Sequence, residues 1–197
     1  MRPKKSSLRQ LGRFALLDRG YKVEARTGQG LLEGARLFAR KEDEELDIAV
    51  RTSYERHLSF SKRSQDEWAT LPSVDLVLAV IPAEKNTGYF EVIAFDSKVL
   101  TAAFDKAWKA LERAKRAVSF EMPIFIPLDS GSRKNLGHDL SNLKVDAVWS
   151  VNFGPDAIKA RTLVGDAETF LDRVKREFAE RNEVDVSKVV VEFRIVT

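Results

Sequence analysis

The sequence contains no cysteine among its 197 residues, and this absence excludes a disulfide framework and any thiolate chemistry. Only two histidines, His57 and His138, are present, which argues against a histidine-rich zinc site. No run approaches the roughly 18 apolar residues that a membrane-spanning helix needs. The basic N-terminus is not followed by an apolar stretch of the secretory type. We therefore expect a soluble, cytoplasmic protein without a membrane partner.

One sizeable apolar core fits the composition, since 44% of the residues are hydrophobic and the length is that of about one to one and a half domains. The net charge is only +3, but it is unevenly distributed, because the first 26 residues carry eight Lys or Arg against Asp18 and Glu24. Lysine and arginine that neutralise phosphates release counterions. The basic segment is therefore compatible with a polyanionic partner.

The hydrophobic pattern predicts alternating helices and strands. A helix capped by Ser6 or Ser7 and ending near Gly20 is followed by strands at 21–25, 35–41, 46–53, 74–81 and 89–95, a helix at 101–118, and strands at 122–128 and 145–153. We expect a mixed central β-sheet flanked by helices, formed by residues 1–153. Residues 154–197 are predicted to form a helix–strand appendage packed on this core.

The strand predicted at 46–53 has two different faces, because successive side chains of a strand alternate. Leu46, Ile48 and Val50 share one face, and Asp47, Ala49, Arg51 and Ser53 share the other. The second set is polar except for Ala49. This row is the most informative line of the sequence for function.

Three short strings resemble the PD-(D/E)xK nucleases, the restriction-endonuclease-like superfamily. The string from Ile48 to Ser53 resembles the "(E/Q)-V-K-T-S" strand of that family. Gly20 to Val23 is similar to its "kGY-x-V" segment, and Val74 to Val77 resembles the "x-D-hydrophobic" strand that follows. The resemblance covers roughly two thirds of the chain and implies a nuclease-like α/β core.

In that family, two acidic positions hold a divalent metal such as Mg²⁺, and a lysine assists the attacking water. Here Ala49 stands at the position of the second acid, and Arg51 stands at the position of the lysine. Alanine cannot bind a metal, and arginine, with a pKa above about 12, stabilises phosphate charge but accepts protons poorly. Glu33 is the match for the first acid. Asp47, about 7 Å along the strand from Ala49, would supply the missing carboxylate.

The first helix departs from the family in the same direction. Members often carry a glutamate there, whereas this chain has Arg9, Gln10 and Arg13 in the corresponding turn. The resemblance thus implies a nuclease-like protein that binds nucleic acid, DNA in the first place, with impaired catalysis. The candidate phosphate contacts are Arg51, Ser53, Arg56, Lys62 and Arg63.

Two alternatives stay open. The first is an active Mg²⁺-dependent DNA endonuclease, in which Glu33 and Asp47 hold the metal and Arg51 stabilises the phosphate. The second is a non-enzymatic protein-interaction factor of a mobile element, which would dimerise or bind its partner by strand addition at the terminal strand. Trp68 is interpreted as a packing residue rather than a base-stacking platform.

Overall fold

A computed structural model describes residues 3–28, 32, 34–83, 88–130 and 138–154, and the contacts given below are between these residues. The chain divides into two units between Pro155 and Asp156. The predicted appendage at 154–197 lies outside the described residues, apart from Gly154.

The described part of the chain contains three α-helices and eight β-strands. The helices are α1 (Lys5–Leu17), α2 (Ser97–Arg113) and α3 (Ser141–Val145). The strands are β1 (Lys22–Ala25), β2 (Arg36–Lys41), β3 (Glu44–Thr52), β4 (His57–Ser61), β5 (Leu76–Pro82), β6 (Phe90–Asp96), β7 (Pro123–Pro127) and β8 (Trp149–Phe153). None of the described helices is long and apolar enough to cross a membrane.

Six strands form a central mixed sheet in the order β1-β2-β3-β5-β6-β8. Strands β3 and β5 are parallel, and the other neighbouring pairs are antiparallel. Strands β4 and β7 form a separate antiparallel pair. The mixed central sheet flanked by helices confirms the predicted fold class.

Strand β5 is buried along its first six residues, because helices cover both faces of the sheet. Helix α1 crosses one face at Gly12, where a Cβ atom would lie 3.1 Å from Cγ1 of Val50. A larger residue at this position would push against the Val50 side chain, so glycine suits the close approach of the helix to the sheet. Ile48 and Val50 are buried, so this face of β3 is apolar as predicted.

The opposite face of the sheet packs against α2 and the β4–β7 pair through an aromatic cluster. The ring of Phe104 lies 5.0 Å from that of Phe60 and 5.4 Å from that of Trp68, edge to face in both cases. Trp108 contacts Trp68 at 6.0 Å. Trp68 is only 1% exposed, so it packs in the core, as the sequence indicated, and is not a base-stacking platform.

Both long helices begin elsewhere than predicted. Helix α2 begins at Ser97 rather than at 101, because the carboxylate of Asp96 accepts hydrogen bonds from the backbone N–H groups of Lys98 (2.7 Å) and Val99 (3.1 Å). Helix α1 begins at Lys5 behind an N-cap, Lys4, whose side chain makes no capping hydrogen bond. The predicted serine cap is therefore wrong.

Strand β4 is absent from the sequence prediction. Its residues pair with β7, from His57 opposite Pro127 to Ser61 opposite Pro123. The predicted strand at 122–128 is present as β7, but it pairs with β4 and not with a strand of the central sheet. Leu58 and Phe60 alternate with polar residues in β4, but a pattern of five residues is short and does not show a pairing this distant along the chain.

Tyr21 joins the start of β1 to the start of β3, because its hydroxyl donates a 2.5 Å hydrogen bond to Oε2 of Glu44. This hydrogen bond, helped by burial, raises the pKa of Tyr21 from 10.0 to about 12. The fold therefore favours the protonated phenol. Its stabilising contribution is complete below pH 10.0 and is lost as the pH rises towards about 12.

We expect Tyr21→Phe to remove part of the loss of stability at alkaline pH. Denaturant unfolding between neutral pH and pH about 11 should show a shallower decline for the variant than for the wild type. In the wild type, Tyr21 should ionise at a higher pH than an ordinary tyrosine, and the variant should lack this late rise in phenolate absorbance. Equal slopes for the two proteins would contradict the assignment.

Candidate functional site: a basic pocket beside strand β3

Strand β3 loses one of its two neighbours before it ends. Strand β2 pairs with it as far as Ala49, whereas β5 pairs with it to Thr52. Beside this final stretch of β3 lies a pocket of about 390 Å³. Its described lining comes from α1, the residues before β2, the end of β3, the β4–β7 pair and the segment before β5: Lys5, Arg9, Leu32, Ala35, Val50, Arg51, Thr52, Ser59, Phe60, Ser61, Ala69, Thr70 and Pro123.

The polar groups of this pocket suit an anion. Three cationic side chains line it, from Lys5, Arg9 and Arg51. Four hydroxyl side chains join them, those of Thr52, Ser59, Ser61 and Thr70. The described lining includes no carboxylate. Arginine, lysine and hydroxyl groups are the donors that proteins offer to phosphate oxygens.

Arg51 is the cation most firmly built into the pocket. Its Nη2 donates a 2.7 Å hydrogen bond to Oγ1 of Thr70, and its guanidinium carbon lies 5.2 Å from the ring centroid of Phe60. Burial, and then the charge of Arg36, lower the pKa of Arg51 from its ordinary value. No carboxylate of a described residue pairs with it. An anion in the pocket would offset the cost of this partly buried charge.

The N-terminus of α1 adds to the positive potential at the pocket. Lys5 is the first residue of the helix, no acidic side chain lies in the first turn, and no side chain caps the free N–H groups. A helix N-terminus carries about half a positive charge. Arg9, one turn along, lines the same pocket.

Asp47 lies away from this pocket. It precedes Arg51 by four residues on β3, about 13 Å along the strand, and its carboxylate forms an ion pair with Arg26 at 3.3 Å. Its side chain is 49% exposed. Ala49, between the two, is fully buried in the apolar cluster. The structure therefore does not bring Asp47 and Arg51 to one described site.

A metal centre is not formed by the residues that the structure describes. No group of three or more His, Cys, Asp or Glu side chains among them is placed to hold a metal ion. The pocket around Arg51 would repel Mg²⁺, because its described charged groups are cations. Glu33, the other predicted metal ligand, lies outside the described residues.

Ser53 and Arg56 lie beyond the end of β3 and make internal contacts. The Ser53 hydroxyl accepts a 3.3 Å hydrogen bond from the backbone N–H of His57. The guanidinium of Arg56 binds both carboxylate oxygens of Asp129, at 2.6 and 2.8 Å. Neither side chain lines the basic pocket.

Lys62 and Arg63 differ sharply in exposure. Lys62 is 5% exposed; its Nζ lies 5.3 Å from the Trp68 ring and 5.5 Å from the Trp108 ring, and forms an ion pair with Asp105 at 3.3 Å. Arg63 is exposed and lies 3.5 Å from Glu67. Of the five predicted phosphate contacts, Arg51 is the one that lines the pocket.

The sequence interpretation did not identify the lining hydroxyls or the role of Lys5. One signal was present, since the basic residue Arg9 occupies a helix turn where the nuclease family often has a glutamate. The hydroxyl groups had no such signal, because Ser59 and Ser61 reach the pocket through the unpredicted strand β4.

Comparisons with known proteins add little to this geometry. No protein-family model matches the chain, and no curated protein matches it. Among solved structures, the chain is similar to a bacterial homing endonuclease, I-Ssp6803I, at 13% sequence identity and a TM-score of 0.34, over 70% of this chain and 87% of that one. At this identity and TM-score, the similarity indicates neither an activity nor a ligand for this chain.

Proposed function

We propose that the protein binds nucleic acid, DNA in the first place, by placing a backbone phosphate against Arg51. The observation that supports this most directly is a partly buried guanidinium that lines a pocket and has no carboxylate partner among the described residues. A buried charge is costly unless it is paired. The phosphate would supply the missing partner.

The shape of the guanidinium suits a phosphate group. Arginine donates two parallel hydrogen bonds to the oxygens of one phosphate, and Thr70 holds one edge of the Arg51 side chain in place. Lys4 and Lys5 are exposed at the start of α1, and Lys5 also lines the pocket. Such a surface suits a partner with several phosphates in a row.

The proposal includes the nuclease-like family suggested by the β3 motif. Arg51, at the position of the family's lysine, would bind the phosphate in its charged form, because a guanidinium holds its proton too firmly to act as a base. Ala49 stands where the family has its second acid, so this position provides no metal ligand. We therefore propose a nuclease-like DNA-binding protein in which cleavage is lost.

A Mg²⁺-dependent endonuclease is the second candidate function. Leu32 and Ala35, which are close in sequence to the predicted metal ligand Glu33, line the pocket. In this candidate Glu33 and Asp47 would hold the metal. The ion pair of Asp47 with Arg26 opposes it. Incubation of DNA with Mg²⁺ and the wild-type protein should leave the strands intact; cleavage that Glu33→Gln abolishes would establish this candidate instead.

Salt dependence tests the proposed binding. Labelled duplex and single-stranded oligonucleotides are titrated with the protein over a series of salt concentrations, and binding is followed by fluorescence anisotropy. If Lys5, Arg9 and Arg51 each neutralise a different phosphate of the strand, the log–log slope is about −2 to −3. No binding at low salt, or an affinity that salt leaves unchanged, would reject the proposal and favour a protein-interaction factor.

A further inference from the structure

Phe125 is a large aromatic residue on the outer face of the β4–β7 pair. Its side chain is 47% exposed, whereas its neighbours Ile124 (7%) and Ile126 (1%) point into the core. In the register of the pair it lies opposite Ser59. Because successive side chains of a strand alternate, the Phe125 ring faces away from the core that holds the two isoleucines.

The ring lies beside the basic pocket. Ser59, opposite Phe125, and Pro123, two residues before it on the same strand, both line that pocket. Two residues correspond to about 7 Å along a strand. His57 meets the Phe125 ring edge-on, with the centroids 5.0 Å apart and the planes at 86°. This contact fixes the orientation of the ring while leaving much of it exposed.

From this arrangement we infer that the pocket receives the phosphate of an unpaired nucleotide whose base stacks on Phe125. The inference rests on the proposed function and specifies its substrate class. An aromatic ring stacks on any base that is free to leave its neighbours. In an intact duplex the bases are already stacked on one another, so a phosphate in the pocket would leave Phe125 without a base.

The ligand is thus single-stranded DNA, or a duplex with an unpaired nucleotide. Stacking is indifferent to base identity, because every base has a π face. The charge of the pocket supplies the salt-dependent part of the affinity, and Phe125 supplies a part that salt does not change. These two parts can be measured separately.

The experiment compares Phe125→Ala and Phe125→Tyr with the wild-type protein on single-stranded and duplex oligonucleotides. Phe125→Ala should weaken single-strand binding about tenfold or more, leave duplex binding within about twofold, and leave the salt slope unchanged. Phe125→Tyr keeps an aromatic ring and should bind as the wild type does. A 2-aminopurine base in the single strand should lose fluorescence on binding to the wild type and not on binding to Phe125→Ala.

Phe120→Ala is the matched control, because Phe120 is also exposed, at 52%, but it lies outside β7 and stacks on Trp108. It should bind both ligands as the wild type does. Equal single-strand affinity for Phe125→Ala and the wild type, with normal salt dependence, would overturn this inference and leave the proposed function standing. A wild-type protein that binds neither ligand would overturn both.

Discussion

Replacing Arg51 by alanine is expected to lower the affinity for DNA by about 1.5–3 kcal/mol, or about ten- to a hundredfold. The variant loses the charge and the paired donors that face the phosphate, and Thr70 loses its partner. The loss should be similar for all base sequences, and the log–log salt slope should fall by about one. Anisotropy titrations of the wild type and the variant over the same salt series measure both quantities.

Arg51→Lys and Arg40→Ala complete the experiment. Lysine keeps the charge without the planar fork, so Arg51→Lys should bind with intermediate affinity and an unchanged salt slope. Arg40 also lies on the central sheet, but it is 57% exposed and paired with Glu45 at 2.7 Å. Arg40→Ala should therefore bind almost as the wild type does. An Arg51→Ala protein that binds no more weakly than Arg40→Ala would exclude Arg51 as the phosphate contact.

Stability distinguishes a binding role of Arg51 from a structural one. Arg51→Ala removes the cost of a partly buried charge that has no described carboxylate partner, and this offsets the lost hydrogen bond to Thr70. We therefore expect denaturant unfolding of Arg51→Ala to resemble that of the wild type. The lower DNA affinity of Arg51→Ala would then result from the lost phosphate contact and not from partial unfolding.

The sequence predicted the central sheet well because its strands are either strongly apolar or clearly alternating. The run from Val74 to Ile81 predicted the buried strand β5, and the alternation along β3 placed Ile48 and Val50 on one face and Arg51 on the other. These patterns depend on neighbours along the chain. Local periodicity is what a single sequence shows most directly.

The pocket could not be predicted in the same way. Its lining combines Lys5 of α1, Arg51 of β3, Ser59 of β4 and Pro123 of β7, segments that meet only through tertiary packing. Leu58 and Phe60 alternate with polar residues along β4, and Ile124 and Ile126 are the buried residues of β7, but such short patterns do not show that these two strands pair with each other. A motif can therefore indicate Arg51 while the other donors stay unrecognised.

A basic residue in the sequence also does not show whether its side chain is buried or exposed in the fold. Lys62 was a candidate phosphate contact, yet its ammonium group lies against the indole rings of Trp68 and Trp108 and beside Asp105. Cation–π contacts and one carboxylate stabilise a lysine in such a place. A basic residue in a polar stretch looks the same in the sequence whether it meets solvent or aromatic rings.

Arg56 gives the largest effect expected on stability. Its side chain is only 14% exposed, forms the two hydrogen bonds to Asp129, lies 3.9 Å from Glu91 and donates to the carbonyl of Pro82. It therefore ties the turn before β4 to β5, β6 and the end of β7. Arg56→Ala should lower the free energy of unfolding by about 3 kcal/mol, because the partly buried carboxylate of Asp129 loses both hydrogen bonds from Arg56. Glu91 keeps the ammonium group of Lys144 at 3.2 Å. Denaturant unfolding measures this loss.

The backbone of Arg56 allows a sharper version of this experiment. Its φ of 52° lies in the left-handed region, which costs a residue with a Cβ atom about 1–2 kcal/mol more than glycine. Arg56→Gly should thus be more stable than Arg56→Ala by about 1 kcal/mol, and both should be far less stable than Arg40→Ala, whose exposed ion pair contributes about 0–1 kcal/mol. Under conditions in which Arg56→Gly is folded, its DNA affinity should match that of the wild type. If Arg56→Gly were nearly as stable as the wild type but bound DNA more weakly, Arg56 would be a DNA contact and not a stabilising residue of the interior.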